Sequence, residues 1–389
     1  MDIFPPLARY AAALHATAGS THHVASPLGA WLLLALCGPA STGARRDELA
    51  AALGADVDTA AEAAALLLEH PHPAVLSAAG LWHRGDAARF PAVPSTVETG
   101  ELPSQAELDR WADRHTLGLI ERFPVAVTPD TMLVIATALA TKVTWLEPFD
   151  VVPAAALGEA GAWAGQVDQV LRTPSERGHH QYIAATERAG DVAVHSARAA
   201  DGLLVTSVIA APEVPPADVL AVAHELAHAA ATGAPAARRS LFDLRLGDST
   251  LWTVSEQAGP ARGPDGREER CVAVLPSWSA TSQHDLARAA LGFPAAARAL
   301  AELIGLDEFR YEAKQSTVAR YSRTGFEAAA VSAMAVALGF MMPRDGVVRT
   351  AELRFGHPYA VVAVAVDPDA GPWHGVPVFS AWVSDVEGS

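Results

Sequence analysis

The sequence predicts an α+β fold in a single domain, on three observations. Helical spacing of apolar residues dominates the first third, and strand-like runs then enter and close the chain, an order that favours α+β packing with a mostly antiparallel sheet. The 389 residues are 50% hydrophobic, ample for one large core. No Gly/Ser tract, Pro-rich tract, charge block or fixed-period repeat marks a linker, so residues 1–389 read as one domain.

Each element follows from local pattern. Leu7, Tyr10, Ala11 and Leu14 space the apolar face of an N-terminal amphipathic helix. Ser26-Pro27 starts the next helix, with Ser as cap and Pro in the first turn, and it runs to Leu36. Helices are expected over Arg45 to Leu53 and Thr59 to Glu69, the first punctuated by Gly43 and Gly54. Val75 to Trp82 reads as a strand, and Ala106 to Phe123 as a helix on Leu108, Trp111, His115, Leu119 and Ile120. The near-continuous apolar run Thr131 to Trp145 suits a buried central strand. Asp191 to His195 and Leu203 to Ala210 have strand character, and Ala217 to Ala231 is helical. Leu251 to Val254 and Arg270 to Leu275 are strand-like, with a hairpin-type turn over Gly259 to Gly266. Helices follow at Asp285 to Ala290 and Phe293 to Ile304, then an extended run from Lys314 to Tyr321. After Gly325 comes a small-residue stretch, Ala328 to Leu338, and the chain closes on strands at Tyr359 to Val366 and Val376 to Val383.

Composition narrows the function classes. A net charge of −16 repels phosphate backbones and anionic lipid, so neither nucleic acid nor membrane is an expected partner. The longest apolar run, Ala30 to Cys37, is too short to span a bilayer. The first twenty residues carry no basic stretch followed by an apolar core, so no secretory signal is visible and a cytoplasmic location is the default. Cys37 reads as a small buried hydrophobe; a bond to Cys271, the only other cysteine, is left open. Asn is absent, which removes N-glycosylation.

Several segments, in order, resemble the serpin family. Ser26-Pro27-Leu28 with Thr42-Gly43 and Leu53-Gly54 resembles its opening helices. Leu108 to Ile120 looks like the helix that crosses its main sheet. Leu133 to Phe149, LVIATALATKVTWLEPF, is similar to the central-strand pattern NAIYFKGxWxxPF. Leu275 to Trp278 with His284 to Leu286 resembles LPKF…YDL, and Gly325 to Ser332, GFEAAAVS, resembles the reactive-loop hinge GTEAAAAT. Phe355 to Tyr359 and Val378 to Ala381 resemble the closing strands. The resemblance, to a bacterial-type member, implies the serpin fold with about three β-sheets and roughly eight or nine helices, layered as an α+β protein. It implies an exposed reactive-centre loop over about 325–344 of a monomeric protein. An extracellular role, common in the family, stands against the missing leader.

The match has departures. Thr137 replaces the central-strand Asn, Gly29 the second Ser of the opening motif, and Gln315 a His upstream of the hinge. With Ser26 and Trp145 these positions mark the region where the sheet opens. Arg323 and Thr324 replace two acids, and Phe326 replaces the small residue after the hinge Gly325.

What the resemblance implies is inhibition of a serine protease without catalytic groups or cofactor. The protease forms an acyl-enzyme with the loop, which then enters the main sheet as a new strand. Insertion asks for small residues on one face, which Ala328, Ala330 and Ser332 supply beside Glu327 and Ala329. No Pro interrupts Gly325 to Met342, and Gly325 can turn freely. About ten new hydrogen bonds at ~1 kcal/mol each would rival the stability of a whole domain. Phe326 would enter first and face inward; a ring there slows opening, and the alternative is a non-inhibitory serpin that is only cut. Family spacing places the scissile bond at Gly339-Phe340, with Phe340-Met341, Met341-Met342 and Arg344 as alternatives. Phe and Met before the cut suit a chymotrypsin-like pocket.

A competing motif is His224-Glu225-Leu226-Ala227-His228. Two His four apart on one helix face can bind zinc, with Glu225 as general base of a metalloprotease. A third ligand is needed; Glu256 is a conceivable one downstream but no motif supports it, so the match reads as structural and no metal is expected. His22-His23 and His179-His180 read as solvated loop residues, since adjacent side chains point apart.

Overall fold

The computed structural model describes residues 2–84, 93–158, 161–163, 165–174, 178–263, 265–305, 310–326, 344–367 and 369–387. Among them are seven α-helices and four β-sheets, a mixed α+β architecture. The chain forms two compact units. The first comprises Met1–Thr141, Ala280–Ala319 and Ala363–Ala381; the second comprises Lys142–Ser279, Arg320–Val362 and Trp382–Ser389.

The first unit holds six of the helices. Phe4–Ala18 buries Leu7, Tyr10, Ala11 and Leu14, the face read from the sequence. Pro27–Cys37 starts where Ser26 caps it, the hydroxyl accepting from the Gly29 N–H at 3.2 Å. It is buried nearly all round, which marks a core helix rather than a surface one. Gly43–Leu53, Val57–Glu69 and Phe293–Leu303 lie within two residues of their expected bounds. The helix expected to reach Phe123 spans only Gln105–His115. Leu117 and Gly118 take left-handed backbone, φ 55° and 80°, and the Thr116 hydroxyl accepts from the Ile120 N–H, so the apolar Leu119 and Ile120 fall beyond the helix end.

The strand Leu76–His83 of this unit pairs with Val97–Glu101 on one side and antiparallel with Leu133–Ala140 on the other. The apolar run at 131–145 is therefore two strands, Leu133–Ala140 and Val143–Thr144. The first alternates half-buried and buried residues instead of being buried on both faces. The helix expected at Asp285 to Ala290 is absent. Asp285 ends the strand Trp278–Asp285, its carboxylate accepts from the Ala287 N–H, and only a 3-10 turn at Ala289–Leu291 follows. Beside Trp278–Asp285 runs Lys314–Tyr321.

The second unit contains an antiparallel meander, His179–Thr186, Gly190–Arg198 and Leu203–Ile209, with Tyr359–Ala365 beyond it. Its one helix, Pro216–Thr232, packs on Leu203–Ile209. A second sheet has the order Gly247–Asp248, Trp252–Ala261, Arg344–Arg354, Arg267–Leu275, Gln169–Arg172, Asp150–Pro153. The expected hairpin across Gly259 to Gly266 is thus not a hairpin. Arg344–Arg354 lies between the two arms, antiparallel to one and parallel to the other. Gly346 allows it, since a Cβ there would stand 2.2 Å from the Gly266 carbonyl oxygen.

Cys37 and Cys271 are both free thiols. Burial pushes each up to about 12, so neither is a reactive thiolate near neutral pH. Among the described residues no helix is long and apolar enough to cross a membrane.

Candidate functional site

The strand Lys314–Tyr321 is fastened near its start by hydrogen bonds and at its end by rings. Near the start, Gln315 grips the residue that caps the core helix. Its Nε2–H donates to the Ser26 carbonyl at 2.8 Å, and its Oε1 accepts from the Ser26 N–H at 3.0 Å. Thr317 donates to the same Oε1 at 3.3 Å. The Ser26 hydroxyl donates to the Val378 carbonyl at 2.9 Å, and the Thr137 hydroxyl donates to the Gly29 carbonyl at 2.8 Å. Ser26, Thr137 and Gln315, read from separate parts of the sequence, are one network. Gly29 fits it: a Cβ there would already stand 3.1 Å from Leu139 Cδ1 and 3.2 Å from Ser26 Oγ.

Thr137 and Leu139 belong to one strand and Gln315 to another, and all three touch the Ser26–Gly29 corner. Among the described residues neither strand pairs with the other. Leu133–Ala140 has a ladder partner only on its Leu76–His83 side, and Lys314–Tyr321 meets nothing on its second side before Tyr321 pairs with Phe326. Two strand edges without a ladder partner among the described residues offer a template for an added strand.

Buried histidines surround this network, a feature the sequence reading missed. His23, expected in solvent, is buried, as is His15. His23 Nδ1–H donates to the Thr21 carbonyl at 2.8 Å. Its Nε2 then accepts from His15 Nδ1–H at 2.7 Å, and His15 Nε2 accepts from the Ser380 hydroxyl at 2.6 Å. His284 donates to the Val24 carbonyl at 2.7 Å. Burial holds His23 and His284 below the usual histidine range. Adjacency in His22-His23 suggested a loop, whereas the strand His23–Ala25 turns one ring inward.

The other fastening belongs to the second unit. Trp145 is buried; its Nε1–H donates to the Ser322 carbonyl at 2.9 Å and its backbone N–H to that of Thr324 at 3.0 Å. The Phe149 N–H donates to the Arg323 carbonyl at 3.0 Å, and Arg323 Nε–H returns to the Phe149 carbonyl at 3.1 Å. Gly325 and Phe326 form a two-residue strand opposite Thr144 and Val143. Gly325 is therefore extended here and does not use the freedom to turn expected of it. Phe326 is 4% exposed, its ring edge-on to Trp278 at 6.4 Å, and Trp278 stacks on Tyr321 at 6.1 Å. Trp145 thus joins the 322–326 turn, in a different unit from Ser26, Thr137 and Gln315.

Of the loop residues, Glu327, Ala328, Ala329, Ala330, Ser332, Gly339, Phe340, Met341 and Met342 lie outside the described residues. Arg344 begins the strand Arg344–Arg354.

The His-Glu motif lies on Pro216–Thr232. His224 points into the core while Glu225 faces solvent, and burial holds His224 down at about 4. Among the described residues no group of three His, Cys, Asp or Glu stands close enough to hold an ion. His179, expected in solvent, is buried in a strand and bonded to His195.

No family sequence model matches the chain, and no curated protein sequence matches it either. Solved structures do. The chain is similar to AtSerpin1 of Arabidopsis in its native stressed conformation, at 16% identity and TM-score 0.62, covering 99% of each chain. It is similar to human thyroxine-binding globulin complexed with thyroxine, at 13% identity and TM-score 0.62, covering 99% of this chain and 100% of that one. Serpin48 of the insect Tenebrio molitor matches at 14% identity and TM-score 0.60, covering 99% and 98%. The chain has the serpin fold.

Proposed function

We propose that this chain is a serpin in function as in fold: a single-domain, monomeric suicide inhibitor of a serine protease, with its reactive loop at about 325–344. One observation carries the reading. The strands bearing Thr137 and Gln315 have, among the described residues, edges without a ladder partner around the Ser26–Gly29 corner, and Gln315's strand leads in sequence to Gly325 and the small-residue stretch after it. A protease that acylates the loop frees one end of it. The alternation of Ala328, Ala330 and Ser332 then suits a strand entering between those edges. The entering backbone needs partners that the two edges offer, and hydrogen bonds across the site would be exchanged, since Gln315 and Thr137 hold side chain to backbone. Aromatic and Met residues near Gly339-Phe340 favour a chymotrypsin-like target. The protein itself performs no catalysis.

A second reading is favoured by Phe326. Its buried ring against Trp278 holds the start of the loop, and a slow release lets the protease deacylate and depart. The chain is then a non-inhibitory serpin cut as a substrate.

The test is a stoichiometric incubation with chymotrypsin, read on a denaturing gel. A boiling-resistant band at the summed mass is expected. A clip within 339–344 with fully active protease contradicts inhibition of that class and selects the second reading.

A further inference from the structure

The segment Trp145–Phe149, which holds the 322–326 turn, rests on a buried histidine pair that the inhibitory reading does not use. His179 and His195 stand on neighbouring antiparallel strands. His195 is opposite Gln181, so His179 is its diagonal neighbour on the same face. Across the other ladder His195 is opposite Ser207, which brings that hydroxyl to the same face. The Phe149 ring lies 4.6 Å from His179 and 5.5 Å from His195, and 5.8 Å from Tyr321 on its other contact.

The acceptors fix where the protons are. The Glu147 carbonyl accepts from His179 Nε2–H at 2.8 Å. His179 Nδ1 is then a lone pair, and it accepts from His195 Nε2–H at 3.0 Å. That leaves His195 Nδ1 as the unprotonated nitrogen of the pair that accepts no hydrogen bond. It is fully buried and has no hydrogen-bond partner among the described residues. The Tyr321 hydroxyl lies beside Ser207. A buried basic nitrogen thus shares a sheet face with the Ser207 hydroxyl, which neighbours Tyr321 at the end of Lys314–Tyr321.

We propose that the His179–His195 pair is a proton-operated latch on the hinge. Neutral, it clamps Glu147 and Phe149, and through Phe149 and Trp145 the 322–326 turn. A proton taken up at His195 Nδ1 puts a charge in the core and loosens the clamp. Burial holds both rings below the usual histidine range, so the latch stays closed at neutral pH and opens under acid. The groups around it are His180 on its own strand, the Glu147 carbonyl and Phe149 from one side, and Ser207 and Tyr321 from the other. Arg198 and Arg238 act on His180, and among the described residues no carboxylate acts on either ring. The consequence for trapping, faster release of the loop in acid, rests on the inhibitory reading; the latch does not.

The experiment is amide hydrogen exchange on the full chain at pH 7.5 and 5.5, corrected for intrinsic rates, in the wild type, His195→Gln and His179→Gln. Each Gln keeps a donor and cannot take the proton. In the wild type the Trp145 and Phe149 amides are expected to lose about tenfold protection in acid, against unchanged amides in the helix Gly43–Leu53. In either variant the loss is expected to shrink to less than about twofold. If one variant does not fold, the other decides. Variants that lose protection as the wild type does overturn the latch. A latch that behaves as stated in a chain that traps no protease leaves the latch standing and removes the inhibitory reading.

Discussion

The strand Lys314–Tyr321 is held by two kinds of chemistry. Near its start Gln315 and Thr137 use hydrogen bonds to the backbone of Ser26 and Gly29. At its end Tyr321, Trp278, Trp145 and Phe326 use packed rings. The difference decides which joint can open. A hydrogen bond nets about 1 kcal/mol and can be exchanged for one to an incoming strand or to water. A buried ring that leaves its neighbours loses contacts nothing replaces, at about 3–5 kcal/mol for full removal of an aromatic side chain. On the proposed reading the polar joint is therefore the gate, and Phe326 in the aromatic joint is the brake.

Acid gives the largest effect, because both joints carry buried histidines. His23, His284, His179 and His195, with His224 and His357 elsewhere, all have folded-state values below their unfolded one. Their contribution is complete above about pH 6.5 and is lost as the pH falls towards the folded values, because the unfolded chain binds the protons first. His224 alone, at about 4, accounts for about 3 kcal/mol by pH 4. Urea midpoints between pH 7.5 and 4.5 should fall steadily; a midpoint that rises in acid contradicts the burial of these rings.

Trp145→Ala removes a ring packed on Tyr321 and Phe149 and a donor to Ser322, and should cost about 4 kcal/mol by urea unfolding. A cost under about 1 kcal/mol would mean the aromatic joint is not rigid. Phe326→Thr should cost about 2–3 kcal/mol while raising the fraction of protease trapped. Unchanged trapping would remove Phe326 as the brake. Gln315→Leu strands the Ser26 N–H and carbonyl, and should cost about 1–3 kcal/mol and speed spontaneous loop insertion. Thr137→Val deletes a single donor and should cost about 1 kcal/mol, the smallest effect. If Thr137→Val outweighs Trp145→Ala, the assignment of gate and brake is reversed.

The polar joint was legible in the sequence, because a cap signal at Ser26-Pro27 and two substituted motif positions, Thr137 and Gln315, each point to it. The aromatic joint was legible only as Trp145 and Phe326; that Trp278 and Tyr321 join them depends on which strands meet. The histidines were misread for the same reason. Adjacent pairs at 22–23 and 179–180 look like solvated loop chemistry, yet strand alternation turns one ring of each pair into the core. The turn at 259–266 promised a hairpin because local glycines report a reversal of the chain, not what lies between its arms.

The central claim is that the loop enters as a strand between the edges around Ser26–Gly29. It is tested most directly by cutting the loop with chymotrypsin and comparing the urea midpoint of cut and intact protein. About ten added backbone hydrogen bonds at ~1 kcal/mol each predict a cut protein far more resistant than the intact one. A cut protein that unfolds at the same urea concentration, or earlier, would contradict insertion.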